Sequence, residues 1–191
     1  MEADWEVEVG GGAPMIEALW AGFVDLRAQP ERIAEISEAA ACAPLAGLLL
    51  ALNGMSSELW TAKCDLWEPE EPPEGTPVAA VQGEGSSHAV ACYVDLLPLA
   101  GKVFSEWTEA ESFCRAWVDR LAEVSLSGMR LDLVVRQAVA GSSEGFGVTA
   151  YFHAEGRART DAAATLAAAF SAFAGSIPPL SSPANAASRI Q

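Results

Sequence analysis

The clearest alternation of apolar and polar positions lies in Ala89-Val90-Ala91-Cys92-Tyr93-Val94-Asp95-Leu96-Leu97. Val90, Cys92, Val94 and Leu96 fall on one side, and Tyr93 and Asp95 on the other. A period of two sends successive side chains to opposite faces, so this stretch predicts a half-buried strand. A weaker copy returns as Gly147-Val148-Thr149-Ala150-Tyr151-Phe152-His153-Ala154. Three further stretches alternate in the same way: Trp5, Val7 and Val9 with Glu6 and Glu8; Trp60, Ala62, Cys64 and Leu66 with Thr61, Lys63 and Asp65; and Leu131, Leu133, Val135 and Val139 with Asp132, Val134 and Arg136. A short strand is also expected over Val78–Val81.

Elsewhere the apolar positions recur at helical spacing. Pro14 suits a first helical position, and Ile16, Leu19, Trp20, Phe23, Val24 and Leu26 predict an amphipathic helix after it. Pro30 opens a second helix with Ile33 and Ile36 inward and Glu31, Glu35 and Glu38 outward. Pro44 interrupts it, and a third runs from Leu45 to Leu52, stopped by Asn53-Gly54. Thr108-Glu109-Ala110-Glu111 reads as a capping box heading a helix that carries Phe113, Trp117, Leu121 and Val124 on one face. A last helix has Thr160 as N-cap, Asp161 in its first turn, and Leu166, Phe170 and Phe173 inward, with Gly175 as its stop.

The breaks between these elements are equally legible. Gly10-Gly11-Gly12 is a hinge, because no lysine follows at the spacing of a phosphate loop. Glu68-Pro69-Glu70-Glu71-Pro72-Pro73-Glu74-Gly75 is acidic and proline-rich, and can neither join a sheet nor continue a helix. It reads as a solvated connector, with docking of a basic partner as its functional alternative. Gly83–Ser87 is expected as a turn and Gly141–Gly145 as a hairpin loop, and residues 178–191 as a frayed tail.

The expected fold class is therefore α+β. A short strand and a helical segment fill residues 1–54, and an α+β sandwich of order ββαββα fills 56–177. Its sheet is mainly antiparallel, with two helices on one face. The two strands ending in Val94 and Phe152 echo each other, each followed by a loop and an amphipathic helix.

Composition narrows the function classes. Of 191 residues 51% are hydrophobic, enough for a real core, while the net charge is −15. That charge opposes binding to nucleic acid or to an anionic membrane, and suits a basic protein partner. Met1–Glu6 has neither the basic nor the apolar region of a secretion signal. The longest apolar run, Ala39–Leu52, is too short to span a bilayer and contains Pro44. A cytoplasmic chain without membrane insertion is expected, and the abundance of alanine and the preference for arginine over lysine point to a bacterial one. Cys42, Cys64, Cys92 and Cys114 form no CxxC pair, so they are expected to be reduced and buried as small hydrophobes. His88 and His153 stand at no ligand spacing to them, and neither a metal nor a cofactor is implied.

The candidate chemistry lies on the polar side of the predicted sheet, which carries Lys63, Asp65, Tyr93, Asp95, Asp132, Arg136, Thr149, Tyr151 and His153. Tyrosines supply rigid area with a hydrogen-bonding tip, and arginine a bidentate donor, so Tyr93, Asp95, Arg136, Tyr151 and His153 are the candidate binding residues. An enzymatic reading makes His153 a general base oriented by Asp95, if their strands are adjacent and in register. It lacks a nucleophile: no serine sits in a GxSxG elbow, and Cys64 and Cys92 fall on the core side, where a thiol is inert. A non-enzymatic protein-binding module is the expectation, with a small-molecule hydrolase or ligand-binding domain on the same face as the alternative and a homodimer compatible with either. The element order is similar to that of small acidic secretion chaperones, and bacterial immunity proteins resemble it in being acidic and α+β. Those resemblances imply an adaptor, chaperone-like or immunity-like role.

Overall fold

The computed structural model describes residues 1–69, 88–99 and 102–177. Its centre is a mixed six-stranded sheet with helices packed on one face. The strands are β1 (Glu2–Glu8), β2 (Ile16–Ala18), β3 (Leu59–Trp67), β4 (His88–Pro98), β5 (Met129–Ala140) and β6 (Ser143–Gly156). They lie in the order β1-β5-β6-β4-β3, with β2 continuing the β1 edge further along β5. Three pairings are antiparallel, β3 with β4, β4 with β6 and β5 with β6. The two N-terminal strands run parallel to β5, so the sheet is mixed rather than mainly antiparallel. The two echoing strands are direct neighbours, with Tyr93 opposite Tyr151.

Alternation decides which side of each strand is buried. Leu131, Leu133 and Val135 of β5, Val148, Ala150 and Phe152 of β6, and Cys92, Val94 and Leu96 of β4 share one core face. Helix α3 (Trp107–Leu121) and helix α4 (Arg159–Gly175) cover it, as the periodicity predicts. Trp117 stacks on Phe173 at 3.9 Å between ring centroids, and Phe152 meets both Phe170 and Phe173 edge-on. Helix α2 (Ala43–Leu52) adds Leu45, Leu48, Leu49 and Leu52 to the same core.

The N-terminal segment departs from the expected helices. Residues 14–26 form no helix: Ile16 and Ala18 enter β2, Leu19 takes a positive φ of 61° and Gly22 one of 101°. Ile16 and Ala18 are buried with Glu17 exposed between them, a period of two inside a stretch whose longer pattern looks helical. The predicted second helix is a short 3-10 helix, Pro30–Glu35, followed by the short helix α1 (Ser37–Ala41). Pro44 starts α2 rather than interrupting a longer helix, since its missing amide costs nothing in a first turn. The helical content of residues 1–54 is thus confined to residues 30–52.

Both predicted caps are displaced. The N-cap of α3 is Glu106, and it is the Glu109 carboxylate that accepts the Ser105 amide and hydroxyl, at 3.1 and 2.9 Å. Ala158 caps α4, with the Asp161 side chain accepting its amide at 3.2 Å, so Thr160 lies inside the helix. The Gly141–Gly145 loop shrinks to Gly141-Ser142, because Ser143 already pairs with Ala140. The expected strand at Val78–Val81, the turn at Gly83–Ser87, most of the acidic connector and the tail lie outside the described residues.

Candidate functional site

The second face of the sheet is where the polar side chains gather. On the β1 edge Glu2, Asp4, Glu6 and Glu8 point to it, level with Arg130, Asp132, Val134 and Arg136 on β5. Across β6 the same rows continue through His153, Tyr151, Thr149 and Gly147, and β4 contributes Ala91, Tyr93, Asp95 and Leu97. On β3 the face holds Asp65 and Lys63. A bulge between Thr61 and Cys64 then shifts the register, and beyond it Trp60 and Ala62 also turn to this side rather than to the main core.

That reversal builds a second apolar cluster of Ile16, Ala18, Trp60, Ala62, Leu97, Val103, Ala138 and Ala140, with Phe23 set edge-on against Trp60. Arg27 locks the covering segment down by donating to the carbonyls of Gly54, Ser57 and Leu59 at 3.1–3.2 Å. The N-terminal segment therefore caps one end of the polar face. Among the described residues no helix lies over the remainder.

A row of interacting side chains crosses this open part. Trp67 is 6.3 Å from Tyr93, and Tyr93 is 5.9 Å from Tyr151, between ring centroids. Arg136 donates to the Tyr151 hydroxyl at 2.9 Å and holds Glu8 through Nε at 3.1 Å and Nη2 at 2.5 Å. Of the predicted residues, Tyr93, Tyr151 and Arg136 are thus brought into one row. Trp67 and Glu8 complete it, and sequence reasoning missed both. Glu8 was legible as the outward partner of Val7; Trp67 follows the alternation of Lys63 and Asp65 by one more step.

Asp95 and His153 share the face but not each other. Asp95 is opposite Thr149, whose hydroxyl donates to it at 2.6 Å; His153 is opposite Ala91, four residues further along β4, about 13 Å away. The nearest acidic partner of His153 is Glu155, at 3.3 Å. The Asp95–His153 arrangement required of an oriented general base is therefore not present. Burial raises the Asp95 carboxyl above the usual carboxylate range, against the opposing pull of the Thr149 hydrogen bond and of the Arg136 and Lys63 charges. Burial, reinforced by the charges of Asp95 and Asp65, also pushes the Tyr93 phenol up to about 12, so it stays protonated and able to donate at physiological pH. Cys64 rises to about 12 for the same first cause, and Cys92 and Cys114 rise as well, which keeps these thiols protonated and unreactive.

Two concavities adjoin the row. A depression of about 240 Å³ lies over β1, β5 and β6, lined by Asp4, Glu6, Arg130, Asp132, Arg136 and Tyr151. A larger cleft of about 420 Å³ opens at the β3 edge between Trp20, Ile36, Lys63, Cys64 and Tyr93, with Glu35 and Glu38 beside them. Among the described residues no three His, Cys, Asp or Glu side chains converge as metal ligands do, and no helix is long and apolar enough to cross a membrane. Compared with protein-family models, curated proteins and solved structures, the chain matches none of them.

Proposed function

We propose that this chain is a non-enzymatic protein-binding module of the bacterial cytoplasm, adaptor-like or chaperone-like, and that its partner seats on the open polar face. The observation that carries the reading is the row Trp67–Tyr93–Tyr151–Arg136–Glu8, which crosses a sheet face left uncovered by helices among the described residues. Rigid aromatic area with polar tips and an arginine, held in place by neighbours, is the composition of an interface centre. Carboxylates dominate its margin, with Glu2, Asp4 and Glu6 along β1 and Asp65 on β3, so the partner's complementary surface is basic. The alternative of a hydrolase or small-ligand domain finds less support, since Asp95 and His153 lie apart.

The test is capture by the tagged full-length chain from its native host, quantified by mass spectrometry. The double variant Tyr93→Ala/Arg136→Ala is compared with Ser171→Ala, an exposed α4 position on the far side. The expected result is one stoichiometric partner, reduced about tenfold or more by the double variant and untouched by the control. A partner retained equally by both variants, or no partner at all, contradicts the proposal.

A further inference from the structure

Strand β3 is one edge of the sheet, and its outer side changes character along its length. Near its start the fold closes the edge from within: Arg27 takes the Leu59 carbonyl at 3.1 Å and Asn53 accepts the Thr61 amide at 3.2 Å. Past the bulge no such hydrogen bond reaches the edge among the described residues, and only the segment 36–38 stands beside Cys64 across the cleft. The Leu66 amide turns away from β4 and donates to the neighbouring Asp65 carboxylate at 2.7 Å, and the two-residue period gives Cys64 the same outward direction. Among the described residues no backbone strand pairs with this stretch. The 420 Å³ cleft lies at the near end of this stretch, against Thr61, Ala62, Lys63 and Cys64, and straddles the edge, since Lys63 belongs to the polar face and Cys64 to the opposite one.

We infer that the outer edge of β3 over Cys64–Trp67 receives an extended basic segment of the partner, which adds to the sheet as a further strand and lays one side chain into the cleft. The inference rests on the protein-binding reading above and names the segment that binds. An open edge supplies the backbone groups for such an addition. Charge selects the segment: Glu38 and Asp65 flank the edge beside Lys63, while Glu35 is already paired with Arg32. Trp67 supplies a second selector. Among the described residues, cations sit over aromatic rings three times: Arg115 over Trp5 at 4.2 Å, Arg136 over Tyr151 at 5.4 Å and Lys63 over Trp20 at 5.7 Å. Trp67 is 38% exposed, and among the described residues no cation stacks on it. With Asp65 two positions away on the same face, it is a seat for an arginine side chain of the added strand.

The probe is a fluorescein-labelled, alternating Arg-Thr decapeptide, titrated against the full chain by fluorescence polarisation. Its comparators are the same peptide N-methylated at every second amide, which keeps the charge but breaks one ladder of backbone hydrogen bonds, and a Glu-Thr decapeptide. Amide exchange of the complex locates the bound strand. The expected result is binding of the Arg-Thr peptide with slowed exchange at Cys64 and Leu66, about tenfold weaker binding after N-methylation, and none by the Glu-Thr peptide. The double variant Glu38→Lys/Asp65→Lys weakens the Arg-Thr peptide by a similar factor while leaving the melting transition in place. Equal affinity of the methylated peptide, slowed exchange along β1 instead, occupation of the β3 edge by a second copy of the chain, or no binding overturns the inference. If the partner captured in the previous experiment still depends on Tyr93 and Arg136, the edge assignment alone falls; if that dependence is missing too, the protein-binding reading falls with it.

Discussion

Asp95 sits with its carboxylate almost out of water, held by the Thr149 hydroxyl on the next strand and drawn to Arg136 and Lys63 at longer range. Burial wins that contest and raises its pKa in the folded chain. The native state therefore holds its proton over a pH interval in which the unfolded chain has lost it. Stability contributed by this group is present below the ordinary carboxylate range and is lost as pH rises through the folded pKa. Once ionised, the buried carboxylate is a standing cost, on a face where its charge helps keep the Tyr93 phenol protonated. Asp95→Asn preserves an acceptor for Thr149 and removes the charge. Its melting temperature should exceed that of the wild type at pH 7, and the gap should narrow as the pH falls through the raised folded pKa towards the ordinary carboxylate range. Thermal scans across that range decide the matter: a variant less stable than the wild type at pH 7 would mean that the attraction of Arg136 and Lys63 outweighs burial.

Among the elements, the strands with strict alternation and the helices with aromatic stripes were legible in the sequence. The inward sets Val90–Leu96, Phe113–Leu121 and Leu166–Phe173 lie where periodicity puts them, and so do Tyr93, Arg136 and Tyr151 on the opposite face. What was not legible depends on long-range pairing. Nothing local says that Glu2–Glu8 lies parallel to Met129–Ala140, since the pairing Glu2↔Arg130 joins residues far apart in the chain. Nor does local pattern reveal that Ile16–Ala18 is recruited as an edge strand, because the recruiting backbone is the far end of β5. The bulge in β3 similarly exchanges the faces of Trp60 and Cys64 without a glycine or proline to mark it. Gly145 shows how a glycine read as a loop residue is instead a packing requirement. It pairs with Ala138 inside the sheet, and a methyl group there would meet the Phe104 carbonyl and the Val103 side chain. Gly145→Ala is expected to cost roughly 1–3 kcal/mol by urea unfolding, whereas Gly47→Ala, in open space on α2, is expected to gain roughly 0.5–1 kcal/mol. Equal effects at the two sites would contradict the close approach of the 103–104 segment to β6.

At the scale of the whole molecule, the helices are gathered on one side of the sheet and its polar strand face lies on the other. The main core, with its stacked Trp117 and Phe173, anchors α3 and α4, and the Arg27 clamp holds the N-terminal segment over one end of the polar face. What stays open is a rigid strip of rings and ion pairs with a carboxylate margin, on a chain of net charge −15. Such a surface gains its partner through complementary charge at the rim and buried rings at the centre, so its association should weaken as salt rises. The measurement that bears most directly on this is hydroxyl-radical footprinting of the chain with and without its captured partner. Oxidation of Trp67, Tyr93 and Tyr151 should fall in the complex, while Met55, 92% exposed and away from the row, should be oxidised as before. Unchanged oxidation of the three rings in a stoichiometric complex would place the partner elsewhere and contradict the account.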